Sequence, residues 1–230
     1  DFLAAADQLE EAAWYMHHTP EGRYYFDRQE NLTKMLQGFA AEAPDNQIDD
    51  LIRKRLTDMF RPRRKTVYEE VLALPRLQEV SDVIRSKRVL LIVNPDTKVP
   101  PEQIADLFSG LTAKNNLCVL TGDKTAMASV TQAARHVFAS GKADARIPSG
   151  HPQREELDRK TQEYELRFTT TILSLFDKVL FPTQRRGQAP ALVSKALDQT
   201  RDTTAQFDGE EQIEKTLIVD PLKLYVEVEP

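Results

Sequence analysis

Between Arg88 and Asp123 the chain reads RVLLIVNPDTKVPPEQIADLFSGLTAKNNLCVLTGD. The pattern is strand, crossover helix, strand. Each strand ends in polar residues, Asn94-Pro95-Asp96 after the first and Thr121-Gly122-Asp123 after the second. Strands joined by a helical crossover run parallel, since only antiparallel neighbours can be linked by a tight turn. An α/β fold is expected, with a mainly parallel sheet flanked by helices. Open sheets of this class place ligands beyond the carboxyl ends of their strands. Asn94, Asp96, Thr121, Asp123 and Lys124 therefore form the candidate ligand crevice.

The segment before this core reads differently. Residues 1–14 place Phe2, Leu3, Ala6, Leu9, Ala13 and Trp14 near one face of a helix. WYMHH and RYYFD then flank Thr19-Pro20-Glu21-Gly22, which predicts a β-hairpin. Helix and aromatic hairpin together have the form of a winged helix. A helix capped by Asn31 or Asp27 carries Leu32, Met35, Leu36 and Phe39. A second spans Ile48 to Phe60. The expected division is a helical and hairpin segment at 1–66 and an α/β domain at 67–230.

Beyond Arg64 the pattern is mixed. VYEEVLALP fits a strand or a short helix, and RLQEVSDVI fits a short helix. After Asp123 a helix is expected up to Ser140-Gly141, and a long helix from Gln153 through Leu180. FPTQRRGQAP reads as a loop, residues 191–200 as a helix, and FDGEEQ as a polar loop. LKLYVEVEP reads as extended. The chain opens on Asp1 and closes on this extended stretch, which is expected of a piece of a longer protein.

The 230 residues include 31 Lys and Arg against 36 Asp and Glu, a formal charge of -5, so attraction of the whole molecule to nucleic acid is not expected. The single cysteine, Cys118, sits in an apolar strand and reads as a small buried hydrophobe. One thiol cannot close an internal disulfide, and a reducing, cytoplasmic setting is expected. No apolar run approaches membrane-span length, and no membrane partner is expected.

Motifs with defined chemistry are sparse. A phosphate loop needs G-x-x-x-x-G-K-[ST], so that backbone amides and a lysine surround the phosphates. Thr121-Gly122-Asp123-Lys124-Thr125 lacks the first glycine and the loop length. It reads instead as a glycine turn with Asp123 capping a helix. Asp96 and Asp123 end two strands expected to be neighbours, and a pair of carboxylates there suits a divalent cation. That is the basis of an alternative reading, a metal-dependent nuclease or phosphotransfer domain. Both residues also suit plain capping and turn roles. His17, His18, His136 and His151 show no metal-ligand spacing, and no nucleophile elbow occurs. No catalytic residue and no metal ligand is assigned.

One run breaks the acidic balance. Arg53, Lys54, Arg55, Arg61, Arg63, Arg64 and Lys65 concentrate positive charge, and a phosphate backbone suits them. These are the candidate nucleic-acid contacts of a second alternative, a nucleic-acid-binding module. The competing reading is a solvated helix end, where cations also suit the helix dipole.

Longer stretches carry a resemblance. With GRYYFDRQENLTKML, RVLLIVNPDTKVPPEQI, KNNLCVLTGD, GHPQREELDRK, SLFDKVLFP and GEEQIEKTL followed by DPLKLYVEVE, the chain resembles the domain-of-unknown-function (DUF) 499 family. These are large predicted AAA-type ATPases of prokaryotes, with PglY/BrxC-like relatives in phage-defence loci. The resemblance covers essentially the whole chain, and places it C-terminal to the family's ATPase core. It implies a non-catalytic accessory module. Its partners would be the ATPase core of the same chain, DNA or defence-system proteins. ATP and Mg would belong to the upstream core and no cofactor to this piece. No ATP-contacting residue carries over to any position here.

Overall fold

The computed structural model describes residues 15–18, 23–26, 31–96, 101–122, 125–183, 189–197 and 207–218. The helix expected at 1–14, the turn at 19–22, Asp123, Lys124 and the stretch from 219 onward lie outside them. The chain divides into two compact units, one of residues 1–51 with 131–169 and one of residues 52–130 with 170–230.

In the first unit, strands β1 (Met16–His18) and β2 (Tyr24–Phe26) pair antiparallel, with Met16 opposite Phe26, which is the expected hairpin. Helix α1 (Leu32–Ala41) starts at Asn31, whose side-chain oxygen accepts the N–H of Thr33 at 3.0 Å and of Lys34 at 3.4 Å. Those are two of the donors a helix start leaves open. Its buried face, Leu32, Met35, Leu36 and Ala40, packs with Ala139, Ala143, Ile147 and Leu157. Helix α2 (Asp45–Met59) begins in this unit and ends in the second. Arg135 closes the α1–α2 corner by donating to the carbonyls of Ala40 and Ala43 at 3.1 and 2.9 Å and pairing with Asp45.

The second unit holds a five-stranded mixed sheet in the order β3-β4-β5-β6-β7. Strands β3 (Glu70–Ala73), β4 (Val89–Ile92) and β5 (Leu117–Thr121) are parallel. Strands β6 (Lys178–Thr183) and β7 (Ala191–Ala196) add antiparallel. The crossovers are α3 (Leu77–Ser86) and α4 (Pro101–Ser109). Val80 and Ile84 of α3, with Ile104 and Phe108 of α4, pack on Val89, Leu91, Leu117 and Val119. Two like-handed crossovers along a sheet that grows in one direction place both helices on one face. Leu90, Ile92, Cys118 and Leu120 alternate onto the other face and are also buried. The α/β expectation therefore holds, with the parallel part confined to the first three strands.

Several local expectations are overturned. Helix α5 (Met127–Arg146) does not stop at Ser140-Gly141. Ser140 folds its hydroxyl back onto the Val137 carbonyl at 2.9 Å, and nothing lies within 4 Å of the Cβ position of Gly141. Neither residue interrupts the ladder. Helix α6 (Arg154–Leu175) ends earlier than its pattern suggests, and Lys178–Thr183 is strand β6. Residues Ala191–Ala196 are strand β7, because Leu180, Phe181 and their neighbours offer a register to pair with. Gly209–Ile218, read as loop and tail, is helix α7. Asp208 accepts the Glu211 N–H at 3.1 Å, the capping geometry that starts it.

Candidate functional site

Asp96 has a definite structural task. Its N–H bonds the Asn94 side-chain oxygen at 2.9 Å, an Asx turn closing the end of β4. Its Oδ2 accepts the Met127 N–H at 2.9 Å, so a carboxylate from one strand end caps the helix that follows the next. Its other oxygen, Oδ1, is buried without a hydrogen-bond partner. Thr121 ends β5. Asp123 and Lys124 lie outside the described residues, so the crevice is observed through Asn94, Asp96 and Thr121.

Gly122 shows why a glycine stands there. A Cβ on it would lie 1.8 Å from the Leu175 carbonyl oxygen. The end of α6 therefore lies against the end of β5, backbone on backbone. The glycine serves close packing. The strand order bears on the crevice as well. Ligand crevices in open α/β sheets form where the order reverses and neighbouring crossovers go to opposite faces. The order here is monotonic, and α3 and α4 share a face. Among the described strands there is no such switch point.

The basic run is built into a clamp. Residues 61–66 link α2 to β3, and their backbone donors converge on one carboxylate. Glu210 in the first turn of α7 accepts the N–H of Arg63 at 2.6 Å, of Arg64 at 2.7 Å and of Thr66 at 3.0 Å. Lys65 has φ 54, the left-handed conformation that curls these N–H groups inward. Such a concavity of backbone donors is an anion site, here filled by a side chain of the same chain. The carbonyls are held too: Arg88 donates to Lys65 at 3.0 Å and to Thr66 at 2.9 Å.

Burial pushes the Glu210 carboxyl up, and the N–H groups of Arg64, Arg63 and Thr66 with the Arg64 charge more than offset it. The carboxyl is held below its ordinary range and stays ionised, although its residue exposes no surface. Phe60 lies beneath. Its carbonyl accepts the Tyr68 hydroxyl at 2.7 Å, and its ring meets Phe207 edge-on at 5.6 Å. A Cβ at Gly209 would lie 2.4 Å from the Phe60 ring, so the start of α7 needs this glycine. Burial, with Glu210 close by, pushes the Tyr68 phenol far up.

The cationic side chains point outward from this clamp. Arg63 faces Asp208 at 3.8 Å and Arg64 pairs with Glu214 at 3.0 Å, yet the arginine side chains remain 56% and 50% exposed. Arg61 pairs with Asp58 at 2.5 Å, and Lys65 is exposed. Arg53 and Lys54 lie on the exposed side of α2, and Arg55 is half-buried.

Cys118, His136 and His151 are engaged within the fold. Burial pushes the Cys118 thiol up to about 12, which keeps it protonated. His136 stacks on Tyr164 at 5.0 Å, and burial, then Arg167, lower its pKa. His151 Nδ1 accepts the Gln153 N–H at 3.2 Å near the start of α6. His17 and His18 stand opposite Tyr25 and Tyr24 in the hairpin. Among the described residues no group of three or more His, Cys, Asp or Glu side chains is placed to hold a metal ion, and no helix is long and apolar enough to cross a membrane.

Glu210, Thr66 and Arg88 were absent from the expected site residues. A local signal existed for the helix, since Asp208-Gly-Glu-Glu211 has capping-box spacing. None existed for the contact, whose partners are 144 to 147 residues apart. No family model, no curated protein and no solved structure matches the chain.

Proposed function

We propose that this chain is a non-catalytic accessory and interaction module of a larger multidomain prokaryotic ATPase of the DUF 499 type, acting in DNA-linked phage defence. The observation that carries it is how the reactive groups are spent. At the strand ends, Asp96 caps α5 and Gly122 receives the α6 backbone. The Glu210 carboxylate, which accepts three backbone N–H groups, fixes a loop. The resemblance adds the context of an ATPase core elsewhere in the same chain, to which ATP and Mg would belong. The test is nucleotide turnover: the 230-residue chain, with ATP and Mg, should release phosphate no faster than buffer. Turnover above that background, lost on changing Asp96 to Asn, would sink the reading.

A second reading is supported by the loop at 61–65. Its backbone is fixed on both sides, and Arg61, Arg63, Arg64 and Lys65 keep exposed side chains. A rigid display of cations suits sequence-independent contact with a nucleic-acid backbone, with affinity that falls steeply as salt rises. The check is binding of a 20-base-pair duplex by fluorescence anisotropy at low salt. Absence of binding there counts against this reading, and binding that is unchanged when Arg63, Arg64 and Lys65 become Ala removes it.

A further inference from the structure

The basic loop and the acidic start of α7 meet at two depths. The deep contact joins Glu210, a residue that exposes no surface, to three backbone N–H groups by part-buried hydrogen bonds. The shallow contacts are Asp208 with Arg63 and Glu214 with Arg64, between arginines about half exposed and carboxylates 21% exposed. The first sets the loop's shape. The second pair neutralises charge nearer the surface.

Their energies differ as well. Partly exposed ion pairs contribute about 0–1 kcal/mol each. The Arg63–Asp208 separation of 3.8 Å is at the loose end for an ion pair. A phosphate backbone offers denser negative charge than two carboxylates, and gains counterion release when it binds. It can therefore take Arg63 and Arg64 from Asp208 and Glu214 while α7 stays docked through Glu210, Ile213 and Leu217, all three buried. Between Arg53 and Lys65 seven cations stand against one carboxylate, Asp58. Arg61, itself paired with Asp58, and the exposed Lys65 flank the two shielded arginines in the same loop.

We propose that Asp208 and Glu214 form an autoinhibitory acidic shield over a nucleic-acid-backbone surface made by Arg61, Arg63, Arg64 and Lys65. The proposal rests on the second reading above and adds its regulation. The shield lowers affinity for any phosphate backbone and leaves the loop folded. Whatever draws α7's carboxylates away, or a polyanion at high local concentration, exposes the surface.

The experiment uses the full chain, a fluorescent 20-base-pair duplex, and salt from 50 to 200 mM, with anisotropy as the readout. Asp208→Asn with Glu214→Gln removes the shield. Asn keeps the helix cap that Asp208 provides to Glu211, and Gln matches Glu in size. Asp82→Asn with Asp106→Asn makes the same change in net charge at exposed positions of α3 and α4. The unshielded variant should bind on the order of tenfold tighter than the wild type, with a salt dependence steeper by about two counterions. The control pair should shift affinity less than about twofold, as a change of net charge at exposed, salt-screened positions does. Adding Arg63→Gln, Arg64→Gln and Lys65→Gln to the unshielded variant should abolish the gain. Equal tightening by the control pair, or a gain that survives loss of the three cations, overturns the shield while leaving nucleic-acid binding standing. No binding by wild type and unshielded variant alike, both still cooperatively folded, overturns the nucleic-acid reading itself.

Discussion

The Glu210 carboxylate accepts the Arg63 backbone N–H at 2.6 Å, across 147 residues of sequence. The same carboxylate serves Arg64 and Thr66. Removing it strands three donors in a partly buried loop, and each unsatisfied donor costs about 1–3 kcal/mol. Glu210→Ala should therefore lower unfolding free energy by roughly 3 kcal/mol or more, allowing for some water entry. Glu210→Gln keeps an acceptor oxygen but turns the other side of the group into a donor facing N–H groups. It should fall between the two. Urea unfolding followed by circular dichroism checks the order, and an alanine variant as stable as wild type would falsify the clamp.

Acid should open the same contact. The folded carboxyl is held below its ordinary range, so the unfolded chain takes up the proton first as pH falls. The stabilisation is complete above the unfolded value, about 4.3 for a glutamate. It is lost progressively as pH falls from there through the lower folded value. Unfolding free energy of wild type should thus drop below about pH 4.3 more steeply than that of Glu210→Gln. Parallel pH profiles for the two proteins would mean that other carboxylates carry the acid sensitivity.

The reach of the sequence follows from which contacts are local. Val89–Ile92 and Leu117–Thr121 pair directly with a crossover between them, and the strand-helix-strand pattern states that arrangement in 36 consecutive residues. Asn31 announces α1 because its cap acts two and three residues away. Residues 191–197 carry Leu192, Val193, Ala196 and Leu197 at helical spacing, yet pairing with Lys178–Thr183 makes them strand. Tertiary pairing overrode the local period. The clamp was illegible for the same reason: a glutamate in an acidic stretch carries no sign of the distant loop whose N–H groups it meets. The crevice residues were legible as strand ends. Their meaning depended on the strand order and on the Leu175 carbonyl, which no local pattern encodes.

Asp96 gives a prediction that separates capping from catalysis. Asp96→Ala removes the acceptor for the Met127 N–H, and loss of a helix cap costs about 1 kcal/mol. Asp96→Asn retains an acceptor and should cost less. Thermal melts of the two variants should show that order. A destabilisation by Asn equal to that by Ala would mean that the charge of Asp96, beyond its capping oxygen, is in use.

Two glycines make opposite predictions from the same substitution. At Gly122 a methyl would sit 1.8 Å from the Leu175 carbonyl oxygen, a backbone atom that cannot swing aside. Gly122→Ala must push the end of α6 off β5, and should cost about 3 kcal/mol or leave the chain unfolded, as overpacking against a rigid neighbour does. At Gly141 a methyl meets nothing within 4 Å, and the residue lies inside α5. Gly141→Ala should stabilise by about 0.5–1 kcal/mol, because glycine loses more backbone freedom than alanine on entering a helix. Denaturant midpoints measured side by side decide both. A tolerated alanine at 122 would show that the strand end and the helix end stand further apart than the close backbone approach requires. That space would return the end of β5 to consideration as a ligand crevice.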